Sequence, residues 1–167
     1  MGMDVIGKEN DAYFRRNIWG WPQLASYIVD TFPDLTAPCV EWFTNSGDGL
    51  DKEQSLALSR AISEALADGK VAEYVKELDA KLDAIPDVTC TYCCGTGIRD
   101  DAVGRDLGFP DKVVDDPKSP RFGQKGYCNG CRGSGISRPY EKDMRLEVSD
   151  VEEFNEFLKI CGGFEIW

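Results

Sequence analysis

The pattern Cys-x-x-Cys-x-Gly-x-Gly occurs twice in this chain, as CTYCCGTG at residues 90–97 and CNGCRGSG at residues 128–135. A glycine-rich stretch with so few apolar side chains cannot fold by burying a core. The cysteines supply what replaces the core. One Cys-x-x-Cys turn can hold two thiolates about 2.3 Å from a metal ion, and two such turns complete a tetrahedron. Glycines at 95, 97, 133 and 135 allow positive φ and close backbone approach, so that backbone N–H groups can point at the sulfurs. We therefore read Cys90, Cys93, Cys128 and Cys131 as the ligands of one structural Zn2+ ion, whose binding energy is folding energy for the segment. Four thiolates leave no open coordination position, which favours a structural over a catalytic ion. An iron–sulfur cluster or rubredoxin-type iron fits the same ligands, but nothing else in the sequence points to electron transfer. Cys94, beside the ligands, is a candidate replacement ligand or redox-sensitive thiol.

The chain has 167 residues, enough for one sizeable core, and its apolar fraction of 42% argues against disorder. No run of 18 apolar residues suggests a membrane span. The opening MGMDVIGKEND lacks the basic and apolar regions of a secretory leader, and Ile6 stands where a myristoylation signal wants Ser or Thr. A cytoplasmic location is expected, with Cys39, Cys94 and Cys161 reduced and the first and last of these buried as small hydrophobes. Histidine is absent, which removes the commonest general acid–base and every His-containing metal site or catalytic triad. Net charge is formally −11, which disfavours direct binding to phosphate backbones and favours docking on a basic surface. Residues 99–138 depart from this, with 8 basic and 6 acidic side chains.

Helical periodicity dominates the flanks. Residues 1–17 read as an irregular or partly extended arm. A helix follows around Pro22 with Leu24, Ile28 and Phe32 on its apolar face, ended by Pro33, and a short second one is expected to hold Leu35, Cys39, Trp42 and Phe43. Asp51 and Gln54 form a capping box for a helix that ends at Gly69, and another runs from about Lys70 to Ala84. A last helix is expected to begin at Ser149 with Glu152 as its capping partner, and MRLEV just before it could be a strand paired with the C-terminal tail or with residues 1–8. The expected fold is α+β: mainly a helical bundle, with an inserted four-cysteine zinc-knuckle unit. Its parts are 1–86, the helical N-terminal part; 87–140, the zinc-knuckle unit with an exposed loop at 98–127; and 141–167, a C-terminal helix and tail packing on the first part.

Several stretches together (GMDVIGK, YFRRNIWGWPQLASYI, NSGDGLD, the two cysteine motifs, RPYE and CGGFEIW) make the whole chain resemble a family of small uncharacterised proteins of bacteria and their phages. The cysteine motifs alone are similar to the cysteine-rich zinc domain of DnaJ-type co-chaperones, which has four such repeats and two ions. Two repeats here imply one ion, held by Cys90 and Cys93 with Cys128 and Cys131, and the lack of any His-Pro-Asp tripeptide argues against co-chaperone activity.

Other chemistry has weaker support. Asp4, Asp48, Asp51, Asp100 and Asp101 could be gathered into a carboxylate metal site, although NSGDGLD is explained by a turn and a helix cap. Tyr13, Phe14, Arg15, Arg16, Trp19 and Trp21 form an aromatic–basic cluster. Packing is the expected role of Phe14 and Trp19, while Arg15, Arg16 and Trp21 are candidate interaction residues, as are Lys118, Arg121 and Lys125 in the loop. The function this composition favours is a non-enzymatic, zinc-stabilised acidic protein that binds another protein. The family resemblance extends this to a phage-encoded inhibitor of a bacterial defence system, such as an anti-CRISPR protein, that meets a basic effector. The alternatives are a nucleic-acid-binding zinc module and a small carboxylate-dependent enzyme.

Overall fold

In GMDVIG, Met3 and Val5 are buried while Asp4 and Ile6 are not, the period-2 alternation of a strand with one face on a core. The computed structural model describes residues 2–167; Met1, where the myristoylation reading begins, lies outside them. The arm expected to be irregular or partly extended is a hairpin. β1 (Gly2–Gly7) pairs antiparallel with β2 (Tyr13–Asn17), in register from Gly2 opposite Asn17 to Ile6 opposite Tyr13. The turn between them lacks an Asn-Gly signal and instead places Asn10 and Asp11 at φ of 60° and 51°, the left-handed region these two residue types tolerate best.

Asn17 then accepts the N–H groups of Trp19 and Gly20, starting α1 (Gly20–Thr31), which buries Trp21, Leu24, Ala25, Tyr27 and Ile28. α2 (Pro33–Thr36) is shorter than expected, because Pro38 cannot continue a helix. Cys39 and Trp42 are buried from irregular chain and Phe43 is exposed. The Asp48 carboxylate holds that chain by accepting the N–H groups of Val40 and Glu41 at 2.7 and 3.0 Å. After β3 (Gly49–Leu50), the Asp51–Gln54 capping box is present as expected and opens α3 (Lys52–Ala67). Gly69 at φ +75° joins it to α4 (Lys70–Ala84).

The chain divides into two compact units, one made of residues 1–83 and 143–167, the other of 84–142. Within the second, β4 (Val88–Thr89) pairs antiparallel with β5 (Ile136–Ser137), and α5 (Ala102–Asp106) lies between them in sequence, capped by Asp101. Residues 98–127 do not project as a loop. Val114 and Gln124, Val114 and Gly123, and Lys112 and Gly126 are joined by backbone hydrogen bonds of 2.8–2.9 Å, and Val114 is fully buried. The folded-back arm has no sequence period because it is a short irregular turn closed by backbone, not by an apolar stripe.

The expected strand at MRLEV is absent: Tyr140–Asp143 is a 3-10 turn and 144–147 is irregular. Leu146 is buried in the core, and Arg145 bonds Asp79 and Asp83 of α4 at 2.6 and 2.5 Å. α6 (Val148–Ile160) is capped two residues earlier than expected, with Glu147 and Asp150 as its reciprocal caps in place of Ser149 and Glu152. Gly162 and Gly163, both at positive φ, turn the chain into β6 (Phe164–Ile166), which pairs with β1 and β3 and not with the MRLEV segment. The resulting sheet has the order β2-β1-β6-β3, antiparallel throughout.

The core of this unit is an aromatic cluster from four elements and the irregular segment. Phe14, Trp21, Trp42, Phe154, Phe157 and Phe164 interlock, with ring centroids from 5.2 Å (Phe14–Phe154) to 6.5 Å. Trp21 is 1% exposed and its indole N–H donates to the Trp42 carbonyl at 2.7 Å. This corrects its expected interaction role, since a buried ring with a satisfied N–H presents nothing to a partner. Trp19, expected to pack, is half exposed.

One buried polar group joins α3 to α6. Asn155, 2% exposed, lies 2.8 Å from the Ser59 hydroxyl, which donates to it, and its amide donates to Ser63 at 2.9 Å. Replacing Asn155 by Ala removes the partner of the buried Ser59 hydroxyl and of the half-buried Ser63 hydroxyl, and is expected to lower unfolding stability by about 2 kcal/mol in urea melts.

Candidate metal centre

Each Cys-x-x-Cys turn reverses the chain tightly enough to bring its two sulfurs to one side. Cys93 accepts the Gly97 N–H at 3.3 Å, and Cys131 accepts the Gly135 N–H at 3.2 Å, so the two turns repeat one geometry. The Thr96 and Ser134 hydroxyls, at equivalent positions, donate to the Cys93 and Cys131 carbonyls, each at 2.8 Å. The glycines are required by space as well as by φ. A Cβ on Gly97 (φ +73°) would lie 2.4 Å from the Gly133 carbonyl oxygen, and one on Gly135 (φ +80°) 2.3 Å from that of Gly95. The two turns thus cross backbone to backbone. Pairing of β4 with β5 and the 2.9 Å bond from Cys90 N–H to the Gly135 carbonyl close the other side.

This places four sulfurs together. Those of Cys90, Cys93, Cys128 and Cys131 lie within 4.8 Å of one another, and all four residues are buried. Cys90 and Cys128 sulfurs are 3.8 Å apart, and those of Cys93 and Cys131 are 3.7 Å apart. A tetrahedron with metal–sulfur bonds of about 2.3 Å has sulfur–sulfur edges of about 3.8 Å. The four cysteines are therefore positioned to chelate a single metal ion, consistent with one structural Zn2+ site. Cys94 is exposed at φ +50° and belongs to no such group among the described residues.

The protonation of the thiols agrees with a donor set built for a cation. Burial pushes the Cys90 thiol up, but the Ser137 hydroxyl and the N–H groups of Tyr92 and Cys93 outweigh it and bring Cys90 down to about 6. Burial pushes Cys128 up to about 12, with Cys131 and Cys90 adding to the rise. The sulfurs titrate together: a hydrogen bond with the Cys93 thiol favours the Cys90 thiolate, while burial and the hydrogen bonds with Cys131 and Cys90 make the Cys128 thiolate costly. A divalent cation removes that cost, since its charge favours thiolate at every ligand.

Arg99 supports both turns and carried no signal in the sequence pattern. Its guanidinium lies 4.8 Å from the Tyr92 ring centre, donates to Asn129 at 2.8 Å, and pairs with Asp101 at 3.2 Å. Tyr92 lies in the first cysteine turn and Asn129 in the second, so one side chain spans them. The arm at 113–125 packs on the same turns. Val114, Ser119 and Arg121 all approach Gly97 or Gly133, and Arg121 donates to the Lys125 carbonyl at 2.7 Å. Replacing Gly97 by Ala is expected to reduce zinc retention at least about tenfold in chelator competition, because the added carbon displaces both Gly133 and the Arg121 side chain.

No family model, curated protein or solved structure matches the chain.

The remaining sequence-derived candidates are dispersed. Arg15 faces Asp4 at 3.4 Å, and Arg16 bonds Asp150 and Glu153 at 2.9 and 2.5 Å while covering the Phe14 ring. Lys118 and Lys125 are exposed on the arm. The five aspartates do not converge. Asp4 pairs with Tyr13 and Arg15, Asp48 accepts three backbone N–H groups, Asp51 and Asp101 cap helices, and Asp100 pairs with Arg105. Among the described residues, no helix is long and apolar enough to cross a membrane.

Proposed function

We propose that this chain is a non-enzymatic acidic protein that acts by binding another protein, with residues 84–142 held folded by one structural zinc ion. The distribution of charge carries this reading. The unit formed by residues 1–83 and 143–167 has 22 acidic and 10 basic side chains, a net of −12, whereas 84–142 has 8 and 9. Acidity is thus concentrated on the unit with the large apolar core. Such a field steers association with a positively charged surface and repels phosphate backbones. A four-thiolate centre offers no vacant position for substrate, and a chain without histidine lacks the usual proton carrier at neutral pH.

We propose further that the partner is a nucleic-acid-binding effector with a basic surface. A phage-encoded inhibitor of bacterial defence, of the anti-CRISPR kind, would work this way in the host cytoplasm by covering the channel meant for nucleic acid. The test is affinity capture from bacterial lysate, with and without nuclease. A stoichiometric, nuclease-resistant partner with a basic surface is the expected result. Capture that disappears with nuclease would favour direct nucleic-acid binding through Lys118, Arg121, Lys125, Arg132 and Arg138, all of which belong to the unit of balanced charge.

A further inference from the structure

The outer face of α6 and the edge strand β2 border a groove of about 490 Å³. Phe14 and Phe157 form its floor, and Tyr13 and Ile160 stand at its sides, exposed to 57% and 54%. Its rim is made of Glu152, Glu153 and Glu156. We infer that this groove docks a short basic segment of a partner protein, one apolar side chain entering between Tyr13 and Ile160 and Lys or Arg side chains meeting the glutamates. The inference rests on the protein-binding reading given above and names the surface.

Charge decides the occupant. α6 carries Asp150, Glu152, Glu153 and Glu156 against a single Lys159, and Glu152 and Glu156 repel each other one turn apart. Glu153 is paired with Arg16 and Glu156 with Lys159, but Glu152 has no cation beside it among the described residues. A second copy of this chain would bring the same acidic unit to the rim, and nucleic acid would bring phosphate; both are repelled. A basic segment is attracted. Recognition uses side chains and not an added strand, since the Arg16 guanidinium donates to the Arg15 carbonyl at 3.0 Å and covers the β2 edge there. The apolar pair gives the contact its specificity: cations alone would bind any acidic face, whereas an exposed Tyr beside an exposed Ile offers an anchor point.

The experiment is a titration of the isotope-labelled, zinc-loaded protein with a short synthetic peptide of alternating lysine and leucine, followed by backbone amide shifts. Shifts confined to Tyr13–Asn17 and Glu152–Ile160 are expected. Ile160→Asn and Glu152→Gln, both at exposed positions, should each weaken the peptide by about fivefold to tenfold, and Glu73→Gln on α4 by less than about twofold. An all-lysine peptide of equal charge should bind about tenfold more weakly. Shifts spread over the carboxylates of α3 and α4, equal binding of the all-lysine peptide, preferential binding of a short DNA duplex, or no effect of Ile160→Asn would each overturn the groove. The Ile160→Asn protein in the lysate capture separates this from the wider reading: a partner still captured in full means the groove is wrong and the protein-binding reading stands.

Discussion

Removing the metal with a strong chelator is expected to unfold residues 84–142 while leaving the unit of 1–83 and 143–167 folded. The two units stand on different physics. The first has a contiguous core in which Trp21, Tyr27, Phe154, Phe164 and their neighbours are fully buried. In the second, the grouped buried residues are the four cysteines themselves. Its strands β4 and β5 have two residues each, and α5 has five, too short to persist alone. Structural zinc in small sites contributes roughly 10–16 kcal/mol of apparent binding free energy at neutral pH, and that is the folding energy available here. Cys128→Ser should act as chelation does. Hydrogen exchange read by mass spectrometry would then show loss of protection across 84–142 and retention across α1, α3 and α6. Acid acts in the same direction, because protons compete with the metal for the thiolates and stability from the site falls as pH falls.

Replacing Trp21 by Ala is expected to do the reverse, destabilising the first unit by about 3–5 kcal/mol and leaving the metal bound. Trp21 stacks on Trp42 at 6.4 Å and meets Phe14 and Phe154 at 6.5 and 6.0 Å, and its N–H donates to the Trp42 carbonyl. No neighbour can collapse into the space left, because each ring is fixed by another ring. Domains of this size have about 5–15 kcal/mol in all, so the loss is a large share. Urea melts followed by far-UV dichroism should show a midpoint shift with zinc content unchanged.

These two changes also show which parts of the fold were legible in the sequence. The fold class followed from helical periodicity around Asp51–Ala84, where the Asp51–Gln54 cap and apolar spacing agree, and around Val151–Leu158, where apolar spacing alone placed the helix. The four-cysteine site followed from a spacing that few other structures need. The hairpin at 2–17 was not legible, since its loop carries no Asn-Gly turn and Ile6, on the outward face, blurs the alternation. Pairing of β6 with β1 and β3 depends on contacts remote in sequence, and strands of two and three residues leave almost no pattern. Trp21 was misread for a related reason: an aromatic residue beside Arg16 looks the same in sequence whether it faces the core or a partner. Arg99 shows what spacing cannot reveal, a side chain that serves the metal centre through Tyr92 and Asn129, residues distant from each other in the chain.

The central claim is that Cys90, Cys93, Cys128 and Cys131 hold one zinc ion. Native mass spectrometry of the purified protein, with elemental analysis, tests it most directly. The expected result is one zinc per chain, retained in Cys39→Ser, Cys94→Ser and Cys161→Ser and lost in each of the four ligand variants. A protein whose residues 84–142 fold without metal, that carries iron, or that keeps its zinc in Cys93→Ser by recruiting Cys94 would contradict it.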